Sequence, residues 1–375
     1  MLKPIRNFVK KYCPTWASIA YIGFIFAIIV HIVSKNSVAF SDFYNRYIGS
    51  VLRAVLAYIT NIFPFSIAEA VIICLPVLMF LLIWGGIRAT KKGSVASTRY
   101  ICGLFACVTL FYTLFWGGFA VGYNSSTLEY KLGLDRREVT AAELLQTASI
   151  LLDESNKLAN DVDFKYASSS VMPYSYAEMN KKLNEAYKKV CEKYTFIAPM
   201  YSTVKTVMLS EPMTYTHISG VYTYYTGEAN INVNFPDYTL PYTAAHELSH
   251  QRGIAREDEA NFMAFLVCLE SDDAYIRYSG YMNLFEYVVN ALYSANKNMY
   301  YVLMNNADNR IRYEMIAYNE FFEKYRESVA SEVSGTVNDN YLKAQGQTDG
   351  TKSYGRVVDL AVAYYIPHKG VDMNG

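Results

Sequence analysis

Three stretches without a charged residue constrain the fold of this chain more than any other feature. They have lengths of 19, 18 and 23 residues and run from Trp16 to Ser34, from Ala70 to Ile87 and from Tyr100 to Gly122. A helix of about 20 apolar residues crosses the hydrocarbon core of a bilayer and satisfies its backbone hydrogen bonds internally. The sequence therefore predicts a membrane domain over residues 1–122 with three transmembrane helices, at about 16–34, 67–87 and 100–122.

Basic residues next to these spans predict the orientation of the chain. One cluster precedes the first span and consists of Lys3, Arg6, Lys10 and Lys11; the other lies between the second and third spans and consists of Arg88, Lys91, Lys92 and Arg99. Lysine and arginine next to spans are enriched on the cytoplasmic side. We therefore expect a multi-pass protein of the cell membrane, with both clusters inside and everything after Gly122 outside.

The predicted outer loop between the first two spans contains a further apolar segment. It runs from Val51 to Ile67 and is interrupted by Arg53, Asn61 and Pro64. We expect this segment to lie along the membrane interface as a helix instead of crossing the bilayer.

Residues 123–375 have a different composition, with regularly spaced charges and amphipathic patterns of helical length. Capping boxes, in which side chain and backbone cap each other at a helix start, predict two helix starts at Thr140 and Ser175. Lys+Arg and Asp+Glu both number 34, so no basic excess indicates a nucleic-acid partner. A second domain of this length can bury a sizeable core of its own. Cys191 and Cys268 in this domain could pair, or both could be free thiols.

The clearest strand and the clearest motif follow each other in this second part. Small or apolar residues alternate with asparagines from Ala229 to Phe235, which is the period of a strand with one buried face. We interpret this strand as a sheet edge. A helix that begins near Pro241 then carries the sequence HELSH, His246 to His250, before Gly253 can end it.

The HELSH sequence has the HExxH spacing of a zinc-binding helix. His246 and His250 are four residues apart, so both project from one helix face and can bind one metal ion. Glu247 can reach a water molecule at the same ion and act as general base. The pattern predicts a Zn²⁺ centre that acidifies water and polarises a carbonyl group.

A catalytic zinc commonly has three protein ligands, so a third is needed beside the two histidines. The acidic run after Gly253 offers Glu257, Asp258 and Glu259. We favour Glu257, because it shares one helical stripe with Asn261, Ala264 and Cys268, which are small or polar and permit close packing. Glu259 and Asp258 stay open as alternatives. Asn261 is a candidate to orient a histidine ligand from behind. His217 and His368 lack companion spacing.

The run TAAHELSHQRGIAREDEANFMAFL resembles the motif of a bacterial membrane-protein family known as domain of unknown function 3810. The similarity extends to the three spans, to GEANIN before the motif, and to NYLKAQGQ and KSYGRVVDL near the end. More distantly, Glu257-x-x-Ala260-Asn261-x-x-Ala264 resembles the second zinc helix of gluzincin peptidases, which implies that Glu257 binds zinc. Only six residues separate His250 from Glu257, fewer than in most gluzincins.

These features together predict a mainly α protein with three transmembrane helices, followed by an α+β zincin-like domain with a small sheet. The predicted function is a membrane-anchored zinc metallopeptidase that hydrolyses a peptide or protein substrate at the extracytoplasmic face. Glu247 is its predicted catalytic residue, and His246, His250 and Glu257 are its predicted metal ligands. A tyrosine from Val221 to Thr226 is a candidate to stabilise the oxyanion.

Two alternatives to this function stay open. One is a cytoplasmic peptidase domain coupled to spans that sense a signal. The other is a non-catalytic membrane scaffold with a structural or vestigial zinc site.

Overall fold

The protein is mainly helical and divides into two compact units. The computed structural model describes residues 7, 9–165, 168–326, 328–347, 350 and 355–367. The first unit comprises Met1–Ser125 and Thr223–Glu228, and the second comprises Ser126–Tyr222 and Ala229–Gly375. The described part of the chain also contains one small sheet.

The first unit is built from apolar helices. They are α1 (Thr15–Asn36), α2 (Val38–Phe43), α3 (Ser50–Thr60), α4 (Ile67–Ile73), α5 (Leu75–Lys91) and α6 (Ser94–Leu114), with π-helical turns at Tyr44–Gly49 and Phe115–Phe119 and a 3-10 turn at Ala120–Asn124. Two continuous helices are long and apolar enough to cross a membrane, namely Thr15–Asn36 and Ser94–Asn124. The first and third predicted spans fall within them, although the latter helix begins six residues earlier than expected.

The second predicted span is broken. Helices α4 and α5 meet at Cys74 with a bend of 64°, so this pair is either one broken span or a re-entrant loop. The break has a local cause, because Pro76 lies in the first turn of α5. Proline has no backbone N–H and its ring clashes with the preceding turn, so α4 cannot continue through it as a straight helix. The described residues thus contain two helices that could span a membrane, or three if the bent pair is one span.

Helix α1 and the helix Ser94–Asn124 run parallel to each other. The Tyr21 hydroxyl donates to the Cys102 carbonyl at 2.7 Å, and His31 Nδ1 lies 2.6 Å from the Tyr112 hydroxyl oxygen. Further along both helices, Asn124 Nδ2 donates to Ser34 Oγ at 3.3 Å. The residue offset stays near 81 to 90 along the whole contact, which defines a parallel pair.

The segment predicted to lie along the interface forms a separate helix, α3. Its Arg53 side chain is buried and donates to the backbone carbonyls of Gly118 and Asn45. Burial of a charged side chain is costly unless its donors are satisfied, and these carbonyls satisfy two of them. Arg53 therefore ties α3 to the π-helical turns at Tyr44–Gly49 and Phe115–Phe119.

The short segment Thr223–Glu228 is part of the first unit. The buried Glu228 carboxylate accepts the backbone N–H groups of Ile67 at 2.9 Å and Ala68 at 2.8 Å, at the start of α4. Helix N-termini favour negative charge, since their first N–H groups lack partners within the helix. Tyr224 packs edge-on against Phe115 and Tyr225 against Phe111. These two half-buried tyrosines therefore pack against aromatic residues of the first unit, and the oxyanion-stabilising phenol stays a prediction.

The second unit is a helical core that also contains the small sheet. Its helices are α7 (Leu128–Leu132), α8 (Ala141–Leu158), α9 (Tyr176–Lys193), α10 (Ser210–Thr214), α11 (Leu240–Gln251), α12 (Glu257–Leu269), α13 (Ala274–Ala295), α14 (Lys297–Met304), α15 (Asn309–Glu323), α16 (Val329–Ala344) and α17 (Val357–Tyr365). The predicted capping box at Thr140 and Glu143 is confirmed, and Ser175 caps α9 by accepting from Glu178 N–H. Cys191 and Cys268 are both free thiols.

The sheet has three short strands, β1 (Lys205–Thr206), β2 (Gly220–Thr223) and β3 (Glu228–Ile231), in the order β1–β3–β2. Strand β1 pairs with β3 in parallel, with Lys205 opposite Asn230. The expected strand is present as β3, but it ends at Ile231 and lies in the centre of the sheet. The interpretation of this strand as a sheet edge is therefore wrong.

The hydrogen bonds of the asparagine side chains explain why this strand is not at the sheet edge. Asn232 Nδ2 donates to Thr214 Oγ1 at 3.0 Å and to the Ile218 carbonyl at 3.1 Å, and Asn234 Nδ2 also donates to Thr214 Oγ1 at 3.0 Å. The alternating polar side chains bind the segment that leads into β2, so they do not face solvent. Strand β2, which is only partly buried, is the edge strand on that side.

Candidate metal centre

Helix α11 carries the HExxH sequence in the interior of the second unit, and every one of its residues is buried. Pro241 lies in its first turn, as predicted, and the Tyr242 N–H donates to Ser279 Oγ of α13 at 3.0 Å. On its other side, the Tyr187 hydroxyl of α9 donates to the Ala245 carbonyl at 2.6 Å. These contacts fix the axial position of α11 between its neighbours.

A tight turn leads from this helix to the next. Gly253 has a φ of +95°, a backbone conformation that L side chains rarely adopt. Its N–H donates to the His250 carbonyl at 2.9 Å, and the Ile254 N–H donates to the Ser249 carbonyl at 3.1 Å. The turn satisfies the last carbonyls of α11 and lets α12 begin at Glu257, packed against α11.

Three side chains from the two helices converge on one point. His246 Nε2 and His250 Nε2 are 3.0 Å apart, and Glu257 Oε2 lies 3.3 Å from each of them. All three residues are buried. The two histidines and the favoured third ligand of the sequence analysis are thus brought together.

These distances fit a tetrahedral metal site. For metal–ligand bonds of about 2.0–2.1 Å, tetrahedral geometry places neighbouring ligand atoms about 3.3 Å apart. Two imidazole nitrogens and one carboxylate oxygen form a donor set that zinc accepts, and it occupies three corners of the tetrahedron. The residues present can therefore hold a zinc ion and leave one position open.

The other two acids of the first turn have different partners. Asp258 pairs with Arg136 at 2.8 Å. Glu259 accepts the Leu128 N–H at 3.0 Å and Arg256 Nη1 at 2.7 Å. Neither belongs to the convergent group around His246 and His250. The structure therefore gives both alternative ligands contacts elsewhere in the second unit.

Hydrogen bonds behind the ligands differ between the two histidines. His250 Nδ1 lies 2.7 Å from the Ile254 carbonyl oxygen, so its Nδ1–H donates there and its Nε2 lone pair points to the site. Asn261 interacts with His246 and with Tyr287, and its backbone carbonyl accepts the Tyr242 hydroxyl. Among the described residues His246 Nδ1 has no hydrogen-bond partner of ordinary geometry, so Asn261 lies beside His246 and its orienting role stays a prediction.

Electrostatics couple the three ligand side chains. Burial lowers the pKa of His250, but the charge and hydrogen bond of Glu257 outweigh it and raise that pKa to about 9. Burial lowers the pKa of His246. Burial raises the pKa of Glu257, whereas the charge of His250 and the bonds to both imidazoles hold it well below its usual range. A metal ion that binds here displaces the proton which His250 shares with Glu257.

Glu247 lies next to the ligand group and against strand β2. Burial raises the pKa of its carboxyl group to about 8, and the backbone N–H of Tyr222 donates to it. Gly220 lies directly against it: a methyl carbon added there would be 2.5 Å from Glu247 Oε1 and 2.7 Å from its Cγ. The contacts of Glu247 with Tyr222 and Gly220 were not predicted from the sequence. The only sequence signal for them is the glycine at position 220.

His217 takes no part in this group. His217 Nε2 lies 2.7 Å from the Tyr325 carbonyl oxygen, in a left-handed backbone conformation with a φ of +59°. His217 therefore has a structural hydrogen bond elsewhere. His368 lies outside the described residues.

The chain belongs to the family described as "Protein of unknown function (DUF3810)", whose model matches residues 44–362. The match contains the two helices of the convergent group and most of α17. No curated protein and no solved structure matches the chain. Family membership therefore agrees with the resemblance seen in the sequence motif, but the family description assigns no activity to the chain.

We expect Gly220→Ala to destabilise the protein by about 1–3 kcal/mol, because the new methyl group overlaps the buried Glu247 side chain. Gly335→Ala is the matched control: this glycine is exposed within α16 and an added methyl group meets nothing there. The control should stabilise the helix by about 0.5–1 kcal/mol. Thermal unfolding of both variants in detergent compares them, and equal stability of Gly220→Ala and wild type would contradict the described contact.

Proposed function

We propose that this protein is a membrane-anchored zinc metallopeptidase with a zincin-like second unit. The observation that carries the proposal is the convergence of His246, His250 and Glu257 from two consecutive helices, with Glu247 on the same helix as both histidines. The adjacent position of Glu247 follows from the HExxH spacing and supplies a carboxylate beside the ligand group.

Zinc fits this site better than magnesium or calcium. The donor set combines two imidazoles with one carboxylate, a combination used in catalytic zinc sites that keep one position for water. A magnesium or calcium site would be expected to offer mainly oxygen ligands. The described ligand group contains no cysteine, which further distinguishes it from closed structural zinc sites rich in thiolates.

The chemistry of peptide hydrolysis assigns a role to each group. Zinc, when bound, acidifies a water molecule and polarises the scissile carbonyl. Glu247 takes the proton from the attacking water and passes it to the leaving amine as the C–N bond breaks, so the carboxylate is regenerated. His246, His250 and Glu257 hold the metal, and the hydrogen bond from His250 to Ile254 keeps the ring nitrogen correctly oriented.

Strand β2 supports an extended peptide as the substrate. It is the edge strand next to Glu247, and its residues are partly or fully exposed. An extended peptide can add to such an edge through main-chain hydrogen bonds. We therefore propose peptide or protein substrates that bind beside β2.

The contacts of the first unit support an orientation. Arg99 Nη1 donates to the carbonyls of Lys10 and Lys11, so these three residues of the two basic clusters lie at the same end of the parallel helices. Basic residues favour the cytoplasmic side. Two parallel spans need a return crossing between them, which α4 and α5 can supply as a broken span. We propose that the chain emerges after Asn124 at the extracytoplasmic face.

Metal content and hydrolysis test the proposed activity together. We expect about one zinc per chain in the purified protein by plasma mass spectrometry, and loss of most of it in His246→Ala and Glu257→Ala. His217→Ala is the matched control and should keep its zinc, as should Glu247→Gln. With a fluorescent casein substrate, Glu247→Gln should be slower by about 10²–10⁴-fold because the proton acceptor is lost. A folded wild type without zinc, or a fully active Glu247→Gln, would refute the peptidase.

Reporter fusions test the proposed side of the membrane. A fusion of alkaline phosphatase after Gly375 should be active, since this enzyme folds outside the cytoplasm, whereas a green fluorescent protein fused there by the same export route should be dark. The same reporters placed after Gly93 should give the reverse result. An inactive phosphatase after Gly375 would favour a cytoplasmic peptidase domain.

A further inference from the structure

We propose that Arg136 is a positioning residue of the metal centre, which joins the carboxyl-terminal helix α17 to the first turn of α12 and thereby holds Glu257 in place. This inference rests on the proposed zinc site. It assigns a role to a segment near the end of the chain, GRVVDL, which the proposed activity leaves unexplained.

The first turn of α12 has an unusual concentration of buried charge. Glu257, Asp258 and Glu259 are consecutive and retain 8%, 5% and 4% of their exposure. Three adjacent carboxylates repel one another, and buried charges need partners. The structure divides the partners among them: the histidine pair for Glu257, Arg136 for Asp258, and Arg256 with the Leu128 N–H for Glu259.

Arg136 is the centre of a charge cluster that spans distant parts of the second unit. Its Nη2 donates to Asp258 Oδ2 at 2.8 Å and to the Arg356 carbonyl at 2.9 Å. Its Nε lies 3.6 Å from Asp359 Oδ2, and its Nη1 lies 3.7 Å from Glu129 Oε2. Only 11% of the Arg136 side chain is exposed. One guanidinium group therefore serves three carboxylates.

Loss of this cation would leave the buried Asp258 carboxylate without its counter-charge. An unpaired buried charge is strongly unfavourable, so the first turn of α12 would have to unwind or rotate until Asp258 reaches water. Glu257 precedes Asp258 directly, and it is the first residue of the helix. Any such movement displaces the carboxylate that completes the ligand group.

The start of α12 packs against α11 but has no side-chain cap. Arg256 precedes the helix in an extended conformation and gives it no side-chain cap. Helices without a capping side chain leave their first N–H groups dependent on other contacts. The partners of the three acids therefore fix this turn, and Arg136 is the one that reaches α17.

The link to α17 explains the carboxyl-terminal segment. The Arg356 carbonyl and the Asp359 carboxylate both lie at the start of α17 and both contact Arg136. A guanidinium group presents its donors in a rigid plane, so the contacts of Nη2 and Nε with the start of α17 fix the plane in which Nη2 also meets Asp258. α17 thus sets the direction in which Arg136 meets Asp258.

Zinc affinity tests this role without a known substrate. Wild type, Arg136→Gln, Arg136→Lys and the matched control Arg137→Gln are loaded with zinc alone in competition with a chromogenic chelator. Arg137 is the neighbouring arginine and pairs with Glu143 at the capping box of α8. Loss of an outer partner of a metal ligand typically weakens metal binding by about 10–100-fold, and because Arg136 acts on Glu257 through its neighbour Asp258, we expect about tenfold, the lower end, for Arg136→Gln. Arg137→Gln should stay within twofold of wild type.

Two further variants separate positioning from general stability. Arg136→Gln combined with Asp258→Asn removes the unpaired charge, so the double variant should bind zinc at least threefold more tightly than Arg136→Gln alone. Arg136→Lys keeps the charge but loses the planar fork, so it should bind zinc at least threefold more weakly than wild type. Near-UV circular dichroism confirms that each variant is folded. If Arg136→Gln does not fold, Arg136→Lys decides alone. Wild-type affinity in the folded Arg136 variants would overturn the inference, whereas no zinc in wild type would overturn the proposed function instead.

Discussion

The burial of charge between helices α11 and α12 is the constraint on which the rest of the second unit depends. Two imidazoles and a carboxylate within 3.0–3.3 Å of one another, away from water, are tolerated only when they neutralise one another or share a cation. The surrounding contacts serve this arrangement: Ser279 and Tyr187 position α11, and Gly253 turns the chain directly into α12. A core of this kind is organised around its charges as much as around its apolar side chains.

In the first unit, too, buried polar side chains require hydrogen-bond partners. Arg53 and Glu228 are buried, and each makes hydrogen bonds to backbone groups: Arg53 to two carbonyls and Glu228 to two N–H groups at the start of α4. Backbone groups at interrupted helices are free to make such bonds. The interruptions in this unit, at its π-helical turns and at the start of α4, are therefore the places where polar side chains are accommodated.

The site features that could be predicted from the sequence are those that follow from the helical repeat. The HExxH spacing places His246 and His250 on one helix face, and the stripe of small residues selects Glu257, because both patterns depend on helical repeat alone. The broken span, the order of the strands and the partners of the acids depend on contacts between residues far apart in the chain. Arg136 meets Asp258 across 122 positions, and Gly220 adjoins Glu247 through packing that no local pattern encodes.

X-ray absorption at the zinc edge tests the central claim most directly, because it reports the atoms bound to the metal in the intact protein. The account predicts a four-coordinate zinc with nitrogen and oxygen neighbours at about 2.0–2.2 Å and the multiple-scattering signature of two imidazole rings. A shell of sulfur neighbours at about 2.3 Å, or a spectrum with fewer than two imidazoles, would contradict a centre formed by His246, His250 and Glu257.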